Sequence, residues 1–203
     1  MKRGLTRIVN WGQELLAEVV KPGDLVVDLT VGTGQDTLFL SQQVGLQGQV
    51  VGFDIQLPAL LAAETRLTGE GAETRLHRDD TNSLLPRRAG VDLVYLNHSK
   101  ISTVLSSSPK AVIANLGYFP GGDKAVITQP DTTVAALEQA CRLLAVGGRL
   151  SVVVYPGHPG GAEEGIAVTN FFSELSDVNF QVLQMKVNNR SRSPFLFVTE
   201  KLN

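Results

Sequence analysis

The chain has 203 residues, 43% hydrophobic and 19% charged, which suits one compact domain, 1–203, with a real core and excludes a disordered or fibrous protein. A formal net charge of −2 excludes an overall pull on nucleic acid and leaves room only for a local basic patch, for which Arg75, Arg78, Arg87 and Arg88, then Arg190 and Arg192, are the candidates. The single cysteine, Cys141, and three scattered histidines exclude a disulfide and give no metal-ligand spacing, and no apolar run reaches bilayer length or forms a signal peptide, so a cytoplasmic protein without metal or membrane is expected.

Along the chain, helix-like and strand-like apolar patterns alternate, which predicts an α/β sheet. Ile8, Gly12, Leu15, Leu16 and Val19 share one helical face, and Lys21-Pro22-Gly23-Asp24 ends that helix. Leu25 to Leu29 is nearly continuous in apolar residues, as a buried parallel strand should be. Asp36 or Thr37 is expected to cap the next helix, which ends near Gly45. Gln49 to Phe53 is the second strand, and Pro58 opens the helix that carries Leu60, Glu64 and Leu67.

The polar stretch from Thr68 to Gly90 reads as an extended helix plus loop. Strands follow at Val91–Leu96 and Ala111–Ala114, then a helix at Thr132–Ala145, a strand at Leu150–Val154 and a helix at Ala162–Leu175. Phe180–Val187 and Phe195–Glu200 are joined by too short a link for a parallel crossover, so they pair antiparallel, and such hydrophobic strands permit a homodimer. The expectation is a Rossmann-like, mostly parallel seven-stranded sheet with an antiparallel C-terminal strand and helices on both faces.

Strand, glycine turn, helix, strand and acidic residue form the nucleotide-binding half of a doubly wound fold. Gly32-Thr33-Gly34 supplies the turn, and Asp54 follows Gly34 by 20 residues, the spacing of a carboxylate that holds ribose hydroxyls. Thr37 stands where a dinucleotide fingerprint needs its third glycine; Tyr95, Tyr118 and Tyr155 lack a lysine four residues on, and no phosphate-binding Gly-x4-Gly-Lys loop exists. Asp28, opening the turn, would repel a pyrophosphate but suits the charged aminoacyl end of S-adenosylmethionine. The residues placed against that cofactor are Asp28, Thr30, Gly32, Thr33, Gly34, Gln35, Asp36, Thr37, Asp54, Ile55, Gln56 and Asn115. His98, after the third strand, is either an adenine contact or a loop residue.

Ligands of open α/β sheets bind beyond the carboxyl ends of the strands. Two unusual loops should meet there, Asn115 to Lys124 and Tyr155 to Gly161. Asn115-x-x-Tyr118 resembles the Asn-Pro-Pro-Tyr signature of amino-group methyltransferases, in which an Asn carbonyl accepts the amine hydrogens and aims the nitrogen lone pair. Asp123 and His158 are the acid–base candidates for removing the amine proton, against the alternatives of a turn carboxylate and a backbone-satisfied histidine.

The segments Asp28–Leu40, Phe53-Asp54-Ile55-Gln56, Asn115–Lys124 and Tyr155–Gly161 together resemble the small bacterial class I methyltransferases known as rRNA methylases. Members of that family methylate the 5-aminomethyl group of the 2-thiouridine at the tRNA wobble position. The resemblance implies S-adenosyl-L-methionine as cofactor, an RNA substrate with the tRNA anticodon loop as docking target, and functional roles for Asp123 and His158. Another RNA, a small-molecule amine, or a module that binds cofactor and RNA without catalysis are the alternative readings.

Overall fold

The computed structural model describes residues 7–78, 83–117, 127–190 and 192–203. Eight strands form one sheet, in the order β3-β4-β2-β1-β5-β6-β8-β7. They are β1 (Leu25–Asp28), β2 (Gln49–Asp54), β3 (Thr74–His77), β4 (Gly90–Tyr95), β5 (Ala111–Asn115), β6 (Arg149–Val154), β7 (Phe180–Lys186) and β8 (Phe195–Lys201). All neighbours pair parallel except β8, which lies antiparallel between β6 and β7.

The helices are α1 (Ile8–Ala17), α2 (Gln35–Val44), α3 (Leu57–Gly69), a single turn α4 (Ile101–Val104), α5 (Pro130–Leu143) and α6 (Gly161–Ser173). The period-two alternation of the central strands divides the core between two faces. Val26, Ala111 and Ile113 pack with Leu16 of α1, Leu40 of α2 and Leu60 and Leu67 of α3. Val27, Val112, Ala114 and Val152 pack on the other side with Val104, Leu137 and Cys141, and with Val168 and Phe172 of α6. Helices therefore cover both faces, as a parallel sheet requires. Burial pushes the Cys141 thiol up to about 12, so it is core and not a nucleophile.

Two expectations are corrected. The sheet has eight strands, not seven, because Thr74–His77 forms β3 inside the stretch read as helix and loop. Its polar side chains hid it, and a tertiary partner explains them. Asp92, fully buried on β4, accepts hydrogen bonds from Arg75 Nε (2.8 Å), Arg88 (2.9 Å) and Gln49 (2.8 Å), with His77 Nε2 at 2.9 Å. Burial alone would raise the Asp92 carboxyl, but these partners hold it well below the usual carboxylate range.

The second correction concerns the start of α2. Neither Asp36 nor Thr37 caps it; Gly34 does, in the left-handed conformation (φ +75°) and without a side-chain bond. A Cβ on Gly34 would fall 2.8 Å from Cβ of Ala63, so close packing of α2 on α3 excludes a side chain there. Among the described residues, no helix is long and apolar enough to cross a membrane, and no group of three or more His, Cys, Asp or Glu could hold a metal.

Candidate active site

The chain leaves β1 toward β2 on one side and later returns to β5 on the other. The loops after β1 and β5 therefore diverge and open a crevice at the carboxyl edge of the sheet. A cavity of about 450 Å³ occupies it, within the range of ligand sites. Thr30, Gly32, Thr33, Gln35, Asp36, Asp54, Ile55, Gln56, His98 and Asn115 all line it, so turns far apart in sequence converge there as expected. Gly34 and Thr37 stand behind its wall, both buried.

Asp28, expected against the charged end of a cofactor, also lies behind the wall. Its carboxylate is 1% exposed and accepts from Thr37 Oγ1 (2.6 Å) and from the Thr30 N–H (3.0 Å). It braces the turn from below. Complete burial, and then the charge of Asp36, push its carboxyl up to about 7. The carboxylate that reaches the cavity from this loop is Asp36, on the first turn of α2.

Asp54 terminates β2 at the cavity wall. It accepts the Gly32 N–H at 2.9 Å and the Gln56 N–H at 2.8 Å, so it ties the glycine turn to the start of α3. Burial raises its carboxyl, and backbone N–H groups of Gly32, Gln56 and Ile55 oppose that. The remaining lone pairs are available to vicinal hydroxyls. Arg66 of α3 holds the same turn from outside through the Thr33 carbonyl, at 2.7 Å.

His98 follows β4. Its Nδ1 lies 3.1 Å from the Leu29 carbonyl, and a carbonyl only accepts, so Nδ1 carries the proton. Burial lowers its pKa and keeps the ring neutral. Nε2 is thus a buried acceptor in a residue that lines the cavity, without a partner among the described residues.

Asn115 ends β5. Its backbone N–H donates to Thr30 Oγ1 at 2.8 Å and its Nδ2 donates to Asp36 Oδ2, while Gln13 of α1 donates to the other Asp36 oxygen at 2.6 Å. Oδ1 of Asn115 is buried without a partner among the described residues. Such an oxygen costs about 1–3 kcal/mol when left unpaired, and ligand sites are where that cost is tolerated.

Two residues on, Gly117 (φ +134°) exchanges hydrogen bonds with Thr128, its N–H reaching Thr128 Oγ1 at 2.8 Å and its carbonyl the Thr128 N–H at 2.8 Å. Thr128 in turn donates its hydroxyl hydrogen bond to buried Glu164 of α6 (2.7 Å), which also accepts from Thr133 (2.6 Å). The loops after β5 and β6 meet where a Cβ on Gly117 would lie 3.3 Å from Nε2 of His158. Gly161 leaves space for the same ring, since its Cβ would fall 2.9 Å from that nitrogen. His158 Nδ1 donates to the Pro159 carbonyl at 2.8 Å, which turns Nε2 toward the two glycines. Tyr118 and Asp123 fall outside the described residues.

Several contributors were not singled out from the sequence. Gln13, Thr128 and Glu164 act through tertiary hydrogen bonds. Tyr155, which opens the second of the expected loops, lines the cavity beside Asp36. Burial, then the Asp36 charge, raises the Tyr155 hydroxyl pKa. A polar Gln13 in an apolar-patterned helix was the one signal available in the sequence. The arginines divide into two groups. Arg75 and Arg88 are committed to Asp92, and Arg87 to the Gly23 carbonyl and Gln49. Arg190 and Arg192 are exposed on the β7–β8 turn at the carboxyl edge, where a Cβ on Gly157 would lie 3.6 Å from the Arg192 carbonyl oxygen.

This topology, with a glycine turn and an acidic strand end facing the crevice, defines a class I S-adenosylmethionine-dependent methyltransferase. The chain belongs to the family described as "Putative rRNA methylase", whose model matches residues 50–200. It is 36% identical over 192 residues to a chloroplastic tRNA (mnm(5)s(2)U34)-methyltransferase of Arabidopsis thaliana, covering 88% of this chain and 64% of that protein. The chain thus spans under two thirds of that relative's length. Among solved structures, a "putative rRNA-methylase" from Clostridium thermocellum superposes with TM-score 0.85 at 35% identity, over 96% of this chain and 97% of that one. A "putative methyltransferase" from Streptococcus mutans in complex with SAH gives 0.80 at 31% identity, over 100% and 99% of the two chains.

Proposed function

We propose that the protein is an S-adenosyl-L-methionine-dependent N-methyltransferase acting on RNA, and that its acceptor is the 5-aminomethyl group of a tRNA wobble (thio)uridine. The observation that carries this reading is the buried Oδ1 of Asn115 at the cavity, without a partner among the described residues and an acceptor suited to an amine N–H. The plant relative's name supports the acceptor, and the SAH complex of the Streptococcus mutans protein supports the cofactor.

The residues present fit that cofactor. Asp54, held by three backbone N–H groups, offers its outer lone pairs to ribose hydroxyls. His98 Nε2, neutral and without a partner among the described residues, suits the amino group of an adenine. Bound S-adenosylmethionine would supply an electrophilic methyl group on its sulfonium.

The chain's own residues then prepare the nucleophile. Asn115 Oδ1 accepts an amine hydrogen and so directs the nitrogen lone pair. An alkyl amine is mostly protonated at neutral pH, so a base must first take one proton. We assign that role to His158, whose ring lines the same cavity from the facing loop. Arg190 and Arg192 stand on the same edge, where an RNA backbone would pass.

The test supplies labelled S-adenosylmethionine and tRNA carrying unmethylated 5-aminomethyl groups, followed by nucleoside mass spectrometry. A methylaminomethyl wobble uridine is expected. Its absence, with cofactor binding retained by calorimetry, would overturn the acceptor assignment.

A further inference from the structure

An asparagine is useful as an amine acceptor only if its oxygen, and not its NH2, faces the amine. The two ends of the amide are nearly the same shape, so packing alone does not choose between them. Hydrogen bonding does. Asn115 Nδ2 is engaged by Asp36 Oδ2, and an ionised carboxylate can only accept. Asp36 is itself held by Gln13 Nε2, a second donor, on its other oxygen. Burial raises the Asp36 carboxyl, while the two donors, one on each oxygen, favour its ionised form, which has no proton to offer Asn115 Oδ1. That oxygen is then the end of the amide without a partner among the described residues. Gln13 sits on α1, Asp36 on the first turn of α2 and Asn115 at the end of β5, so three elements meet in this chain of bonds.

We infer that Gln13 and Asp36 form a positioning relay that fixes the sense of the Asn115 amide and presents Oδ1 to the nucleophile. Gln13 is a positioning residue, since it does not line the cavity and acts only through Asp36. Thr30 complements the relay by holding the Asn115 backbone, which leaves the side-chain torsion as the freedom that the relay removes. The kinetic part of this inference rests on the amine-acceptor reading above; the amide orientation does not.

Two measurements separate them. In the 1H–15N spectrum, the side-chain NH2 of Asn115, assigned by its loss in Asn115→Asp, should show one proton shifted strongly downfield by the charged partner. That shift should shrink in Gln13→Met, which keeps the length but loses the donor, and should persist in Gln13→Lys, which keeps a donor. Asp36→Asn should abolish it. In turnover with the aminomethyl tRNA, Gln13→Met should lower kcat about three- to tenfold. Gln13→Lys should recover most of the loss, with SAH affinity and tRNA KM within twofold throughout. An unchanged Asn115 signal in Gln13→Met, or equal loss in the Met and Lys variants, would overturn the relay. A wild-type enzyme that fails to methylate the tRNA would overturn the acceptor reading and leave the spectrum to decide the relay.

Discussion

Thr37 donates its hydroxyl to Asp28 at 2.6 Å beneath the glycine turn, and neither side chain reaches the cavity. The carboxyl at the end of β1 therefore braces the turn, and the cavity-facing carboxylate of this loop lies further on, at Asp36 in the first turn of α2.

The burial of Asp28 has a pH signature. Its folded-state pKa of about 7 lies above the ordinary carboxylate value, so the folded chain holds that proton more tightly than the unfolded chain. This contribution is complete below about pH 4 and is lost as pH rises through about 7. Asp28→Asn should remove it. Urea unfolding of both proteins between pH 4 and 8 should show the wild type losing stability relative to the variant across that window, by up to a few kcal/mol. Parallel pH profiles would contradict the assignment.

Removing the donor instead tests the hydrogen bond itself. Thr37→Val keeps shape and leaves Asp28 with one donor fewer, at an expected cost of about 1–3 kcal/mol. For a chain of this size that is roughly 2–4 °C in Tm per kcal/mol. A calorimetric Tm equal to the wild type would show that the bond carries no weight.

Asp54→Ala should act on binding, not on the fold. It frees the Gly32 and Gln56 N–H groups at the cavity rim and deletes the proposed ribose acceptor. SAH affinity should fall by at least about tenfold, the equivalent of one or two hydrogen bonds to a charged group. Titration calorimetry reads this directly, and retained affinity would remove Asp54 from the cofactor site.

Asp92→Ala should loosen β3 and leave the cavity intact. Removing one partner of a buried ion pair costs about 3–5 kcal/mol, and the partial exposure of Arg75 and Arg88 favours the lower end. Amide exchange should rise at residues 74–77 while SAH affinity stays within twofold. Because partners hold the Asp92 carboxyl low, its stabilisation is present above the ordinary carboxylate pKa and fades only as pH falls well below it.

Arg190→Glu with Arg192→Glu should raise the tRNA KM and flatten its salt dependence, by about one unit of log–log slope for each phosphate no longer neutralised. Arg87→Glu should change neither beyond its effect on stability, since its guanidinium is committed to Gly23 and Gln49. An equal effect of both changes would contradict the division between the two groups.

Much of the fold was legible because burial writes itself into local sequence. Val26-Val27 and Val50-Val51 are continuous apolar runs since both faces of a parallel sheet are covered. β3 was illegible for the opposite reason. Thr74, Arg75 and His77 are polar, and Arg75 and His77 are held by Asp92, 15 or more residues away, so no window of β3 alone contains that carboxylate.

The site divides in the same way. The glycine turn, Asp54 and the loops that open at Asn115 and Tyr155 could be read from the sequence, because backbone geometry demands glycine where φ is positive and the fold puts strand ends on one edge. Which carboxylate faces the ligand could not be read. Asp28 and Asp36 are equally acidic in the sequence, and only the packing of α1 and of the end of β5 against α2 brings Gln13 and Asn115 to Asp36 while Thr37 closes over Asp28. By itself, then, the sequence determined the sheet's core and the turn at its edge, through short-range patterns of burial and backbone freedom. The tertiary structure alone decided which polar groups are committed to one another and which oxygen has no partner among the described residues, because hydrogen bonds between distant segments are satisfied only once the chain has folded.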